Sequence, residues 1–339
     1  MQAALLRNFK TPLEMAEIPR PVPAPGEVLI EVEACGVCHS DLHVADGDWP
    51  ELRRAVKFPL VPGHEIVGRV VEMGSGVTEL AAGDRVGVPW IHWTCGACEP
   101  CRAGRENLCV AQKITGVMVD GGYARFVVAP ATHAQKIPAA LAAAEAAPLL
   151  CAGVTVYRAL GQAAVKAGER VAIFGAGGLG HLAVQIARAQ GAEVIAVDLA
   201  EEKLALAREC GAQETLNAAT GNVVEQLRAR GGVHVALVAS AAKAAYDAAF
   251  FSLRPAGTLV VVGLPAEPLT FSAVMMAATE VRIVASAVGT RADLRAVLAL
   301  AAEGKLRCRV TPRPLAEANA ALEELRRGQI LARAVLIPR

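Results

Sequence analysis

The chain has 339 residues, and its 34 Lys plus Arg against 33 Asp plus Glu leave a net charge of +1, so neither a basic nucleic-acid surface nor an acidic tail is indicated. Hydrophobic residues make up 54%, but Gly, Pro, His or charge interrupts each apolar run before the ~20 residues of a membrane span. The opening MQAALLRNFKTP lacks the marks of a signal peptide, so a soluble cytoplasmic protein of two domains is expected.

In chain order, residues 19–26, PRPVPAPG, read as a proline-rich entry loop. In residues 27–34, EVLIEVEA, Val28, Ile30 and Val32 alternate against glutamates, the period of a half-buried strand. Residues 33–43, EACGVCHSDLH, gather two cysteines, two histidines, a serine and an aspartate. The spacing of Cys35 and Cys38 suits a metal clip or a redox pair, and that stretch alone does not choose. Residues 62–65, PGHE, add a histidine and a glutamate. Residues 65–77 and 83–90 are short β-branched runs cut by glycine, so this first part reads as mostly β, with polar residues on long loops.

Residues 95–109, CGACEPCRAGRENLC, place Cys95, Cys98, Cys101 and Cys109 at C-x2-C-x2-C-x7-C. Four thiolates fill a tetrahedral zinc site and leave no open position, which makes it structural. Bacterial ferredoxins also begin C-x2-C-x2-C but continue x3-C-P, whereas here the gap is seven and Val110 follows.

The texture changes near residue 150. Residues 169–198 read as buried strand, glycine turn, helix and second strand, with Gly191 at the helix C-cap. Residues 201–212 form another helix, 233–240 and 257–264 two more strands, and 244–255 the helix between them. Strand alternating with helix predicts a doubly wound parallel sheet. Helices over 291–304 and 315–328 and a strand over 332–339 complete the chain.

GAGGLG, residues 175–180, follows an apolar strand and opens a helix. Gly175 permits the tight turn, Gly177 the approach of a pyrophosphate, and Gly180 close helix–strand packing; Gly178 lies within the same turn. Asp198 ends the second strand, 18 residues after Gly180. An acid there accepts from ribose hydroxyls and repels a 2′-phosphate, so NAD is expected over NADP.

Taken together, CGVCHSDLH, PGHE, GDRV, the four-cysteine lobe, CAGVT at 151–155, GAGGLG and Asp198 resemble a zinc-dependent medium-chain alcohol dehydrogenase from end to end. The resemblance is greatest to the short, tetrameric NAD-linked enzymes of bacteria and yeast. It implies an α/β fold, with a GroES-like, mostly-β catalytic domain over 1–152, a Rossmann coenzyme domain over 153–288, and a C-terminal return over 289–339. It implies two zinc ions, NAD, a homotetramer, and oxidation of short primary alcohols to aldehydes. Polyol, cinnamyl-type and NADP-linked dehydrogenases are rival readings on the same scaffold, and a non-enzymatic nucleotide binder is a rival of another class.

By the same resemblance Cys38, His64 and Cys151 are the catalytic zinc ligands, Glu65 the alternate fourth, and Cys35 a buried inert thiol. Ser40 takes the alcohol's proton, His43 releases it near solvent, and Asp41 holds the His64 ring. His39 faces the pyrophosphate, Thr155 the nicotinamide and Lys203 the adenosine ribose, while Arg333 pairs with the pyrophosphate. Trp49 and Trp90 line a narrow substrate channel. His92, His133, His181, His234, Cys210 and Cys308 match no ligand position and read as structural.

Overall fold

The computed structural model describes residues 1–265 and 267–338 and forms two compact units. One comprises Met1–Cys151 with Thr290–Arg339, the other Ala152–Gly289, each junction one residue from the boundary expected.

The first unit is built on a seven-stranded sheet. Its order runs Val310–Pro314, Arg333–Ile337, Glu27–Gly36, Ile66–Met73, Arg85–Val88, Gln135–Lys136, with Phe126–Pro130 also on Glu27–Gly36. The C-terminal strand pairs antiparallel with Glu27–Gly36, setting Leu336 opposite Cys35. Cys35 also pairs with Ile66, so the PGHE loop ends beside the first cysteine pair. Val28, Ile30 and Val32 point into an aliphatic core with Ile66, Val86, Tyr123 and Leu336. The last expected strand runs Arg333–Ile337, and Arg339 lies outside the described residues.

The second unit is a six-stranded parallel sheet. Its strands are β1 (Arg170–Phe174), β2 (Glu193–Asp198), β3 (Glu214–Asn217), β4 (Val233–Val238), β5 (Leu253–Val261) and β6 (Arg282–Ala285). Their spatial order is β3-β2-β1-β4-β5-β6, the doubly wound arrangement whose order reverses beside the first strand. The central strands are buried on both faces, which is why they read as continuous apolar runs. Gly191, just past helix Gly180–Ala189, has φ 83°, the left-handed stop a glycine adopts without strain.

One element differs from its reading. The helix expected over 244–255 spans Lys243–Phe251, and Leu253 already belongs to β5. Pro255 cannot supply the helical N–H and disfavours helical backbone at the residue before it. Ser252 closes the helix by donating its hydroxyl to the Ala248 carbonyl at 2.6 Å. Among the described residues, no helix is long and apolar enough to cross a membrane.

Candidate active site

The CGVCHSDLH run folds as the end of strand Glu27–Gly36, a turn, and helix His39–Asp46, with Cys38 as its N-cap. Asp41 completes a capping box by accepting from the Cys38 backbone N–H at 2.9 Å. The same carboxylate turns its other oxygen, 3.1 Å away, to His64 Nδ1. Tyr123 donates its hydroxyl to Asp41 Oδ2 at 2.9 Å and is fully buried. One aspartate thus caps the helix and orients the ring.

These elements bring the donor atoms of Cys38, His64, Glu65 and Cys151 within 4.8 Å of one another, all four buried. Hydrogen bonding with Cys151, and the charges of His64 and Arg333, hold the Cys38 thiol well below its usual value despite burial. Cys151 is pushed well up by sharing with Cys38 and by burial. Burial would lower the His64 ring, but Asp41 and Cys38 hold it well above normal. Burial raises the Glu65 carboxyl to about 7 against the pull of Arg333.

His64 Nε2 and Glu65 Oε2 are buried and have no hydrogen-bond partner among the described residues. Buried polar atoms are rarely left so. Two thiols, an imidazole and a carboxylate are a zinc donor set. With Nδ1–H given to Asp41, the lone pair of Nε2 is left for a metal. The residues present therefore fit the ion.

Arg333 is 3% exposed, and its guanidinium is hydrogen-bonded to Glu65 Oε1, the candidate fourth ligand. Gly36 completes the pocket, because a Cβ there would stand 1.8 Å from Glu65 Oε2. Tyr123, the Arg333–Glu65 pair and Gly36 were not marked by the sequence reading. Each acts through a neighbour distant in the chain, and a tyrosine after two glycines carries no local pattern.

Among the other expected residues, Ser40 is half-buried and His39 exposed in the first turn of the same helix. His43 is partly exposed, with Nδ1 3.0 Å from Asp48. The rings form a chain: His43 to Trp49 at 4.8 Å, Trp49 to Trp90 at 6.3 Å, and Trp90 edge-on to His64 at 4.7 Å. Thr155 is half-buried on helix Ala152–Gln162. Cys35 and Cys38 are both free, and burial pushes the Cys35 thiol well up.

The second cluster joins Cys95, Cys98, Cys101 and Cys109, again within 4.8 Å, but only Cys109 is buried. Cys109 Sγ lies 3.5 Å from Cys95 Sγ, and the Cys98 N–H donates to Cys95 Sγ at 3.3 Å. Backbone N–H groups of Ala97 and Cys98 lower the Cys95 thiol to about 6. Beside it, His133 Nε2 accepts from the Thr94 N–H at 3.1 Å.

In the second unit, Gly175 has φ 93°, and helix Gly180–Ala189 starts so close that a Cβ on Gly180 would lie 1.8 Å from the Gly175 carbonyl oxygen. His181 Nδ1 is 2.9 Å from the Gly177 carbonyl oxygen, and Gly178 lies in the same turn. Asp198 Oδ2 accepts from Ala176 N–H at 2.7 Å, and Oδ1 from Leu199 and Ala200 N–H at 2.8 and 3.1 Å. Its carboxylate thus helps hold the glycine turn. Lys203 is half-buried on helix Glu201–Glu209.

Residues 24–139 match the family model for an alcohol dehydrogenase GroES-like domain, and residues 178–303 that for a zinc-binding dehydrogenase. An alcohol dehydrogenase of Geobacillus stearothermophilus is 47% identical over 337 residues, covering 99% of each chain. The alcohol dehydrogenase of Aeropyrum pernix superposes with a TM-score of 0.93 at 37% identity over 100% of each chain. Acetophenone reductase of Geotrichum candidum, in complex with NAD, gives 0.90 at 33% identity, over 99% of this chain and 96% of that one. A zinc-binding dehydrogenase of Sinorhizobium meliloti, bound to NADP, gives 0.90 at 29% over 99% of each.

Proposed function

The chain belongs to the medium-chain alcohol dehydrogenases, with a GroES-like domain and a Rossmann-type zinc-binding dehydrogenase domain, and from that premise we propose that it interconverts short primary alcohols and aldehydes using zinc and NAD. The observation that carries this reading is the buried meeting of Cys38, His64, Glu65 and Cys151, with His64 Nε2 left unpartnered among the described residues.

Cys38, His64 and Cys151 would hold one zinc, with Glu65 as alternate fourth ligand, and Cys95, Cys98, Cys101 and Cys109 a second, structural one. When bound, zinc supplies Lewis acidity toward the alcohol oxygen and NAD the hydride acceptor. Asp41 fixes the His64 tautomer and ring direction. Ser40 Oγ, in the first turn of the ligand helix, takes the alcohol's proton. His43, one turn on and partly exposed, releases it to solvent. Arg333, hydrogen-bonded to Glu65 in this structure, is the proposed pyrophosphate contact.

Asp198 supports NAD: its negative charge at the end of β2 disfavours a 2′-phosphate. His39, Thr155, Lys203 and the turn Gly175, Gly177, Gly178 and Gly180 are the proposed cofactor contacts. Trp90, edge-on to His64, and Trp49 beyond it support a narrow channel. A cytoplasmic homotetramer completes the reading. It is supported by β6, an edge strand with half-exposed Ile283 and Val284, and by helix Ala273–Thr279, which has no buried residue.

The test is kcat/KM for ethanol through hexanol and benzyl alcohol, with NAD and with NADP. Ethanol with NAD is expected to lead, and Trp49→Ala or Trp90→Ala to shift the ranking toward longer or branched alcohols. A parent that already favours bulky alcohols, with both variants leaving the order unchanged, overturns the channel. Equal efficiency with NADP overturns the role given to Asp198.

A further inference from the structure

The glycine turn occupies the carboxyl edge of the parallel sheet; the opposite edge holds a cavity of about 350 Å³ among the starts of β4, β5 and β6 and the turn after helix Ala152–Gln162. That size lies at the lower end of small-molecule pockets, roughly 300–1,000 Å³. Lys166, Arg254 and Arg282 all line it. None of the three has a carboxylate partner among the described residues: Arg282 donates to Thr258 Oγ1 at 3.1 Å, and the polar contact of Arg254 is with His234. Glu169 also lines the cavity, but its Oε2 accepts the Lys166 backbone N–H at 2.9 Å and closes that turn.

His234 sharpens the case. Its Nδ1 lies 3.1 Å from the Arg170 backbone nitrogen, and its Nε2 lies 2.7 Å from Arg254 Nη1. Both neighbours are donors, yet a neutral imidazole has one acceptor nitrogen and a protonated one has none. In every protonation state a donor therefore faces a donor, and the contact lacks an acceptor. Ala164 and Ala256, also on the lining, have φ of 52° and 59°. That left-handed backbone disfavours any residue but glycine, and such strain gathers at ligand sites.

We propose that this cavity is a second ligand site, binding a phosphate-bearing anion whose oxygens accept from Arg254, Arg282, Lys166 and His234. Donors converge here from separate elements. A tetrahedral group carrying two or more charges can face them all, whereas a planar carboxylate matches a single guanidinium fork.

Two measurements on the full chain test this. Crystals soaked in tungstate, a heavy tetrahedral oxyanion, locate the site directly and separate it from the glycine turn. Calorimetry at fixed ionic strength compares inorganic pyrophosphate with citrate in the parent, Arg254→Gln, Arg282→Gln and Lys57→Gln. Arg254, Arg282 and Lys57 are all exposed, and Lys57 belongs to the other unit. Unchanged alcohol oxidation reports that each variant is folded. The expected result is a tungstate peak in the cavity and pyrophosphate binding weakened about tenfold or more by either arginine change but not by Lys57→Gln. No peak in the cavity, equal affinity in all four proteins, or tighter binding of citrate overturns the proposal.

Discussion

Cys95, Cys98, Cys101 and Cys109 come from one short stretch and sit half-exposed except for Cys109, and backbone N–H groups favour the thiolate at Cys95. Cys38, His64, Glu65 and Cys151 come from three separated segments, lie fully buried, and are surrounded by Asp41, Tyr123 and Arg333. The first cluster is a set of four like donors that a metal can saturate. The second mixes donors of different charge and keeps one of them, Glu65, answerable to an arginine. A closed cluster can be specified by spacing; a cluster that must leave a position for chemistry needs a surrounding fold to hold its members apart.

The strongest way to break that contrast is Cys38→Ser. We expect kcat/KM to fall about 10³-fold or more, with one of two zinc ions lost and thermal stability nearly unchanged. Elemental analysis beside a melting curve checks it, and two retained zinc ions with full activity would remove Cys38 from the reactive cluster.

Cys98→Ser is the mirror experiment. A closed site contributes folding energy outright, so Tm should drop by on the order of 10 °C while the folded fraction still turns over. If instead activity vanished at unchanged Tm, the assignment of the two clusters would be reversed.

The next effect sharpens the difference in surroundings. Asp41→Asn should weaken zinc at the buried cluster about 10- to 100-fold, and Tyr123→Phe less, because the tyrosine acts through the aspartate. The readout is zinc retention under chelator titration. Loss of metal from the four-cysteine lobe instead would show that these residues support the fold generally.

The smallest effect lies beside the lobe. Burial lowers both His92 and His133 to about 4. The unfolded chain binds those protons near pH 6.5, and the folded chain resists them until about 4. Stability is therefore complete above pH 6.5, falls as pH drops toward 4, and levels below, by at most about 3 kcal/mol per ring. His133→Gln should flatten part of that slope in denaturant melts of metal-free protein. An unchanged slope would clear this ring of the effect.

The sequence by itself determined what depends on near neighbours: the alternating strand around Ile30, the run of buried strand, glycine turn and helix from Val171 to Gly191, and the cysteine spacing of the lobe. Backbone periodicity and turn sterics are local, so a short window carries them. The tertiary structure alone decided that Tyr123 reaches Asp41, that Arg333 pairs with Glu65, and that Gly36 must lack a side chain. It also turned His234 and Arg254 into facing donors. In each case the deciding quantity is the burial or pairing of a polar group by a partner far along the chain, and sequence spacing holds no record of that distance.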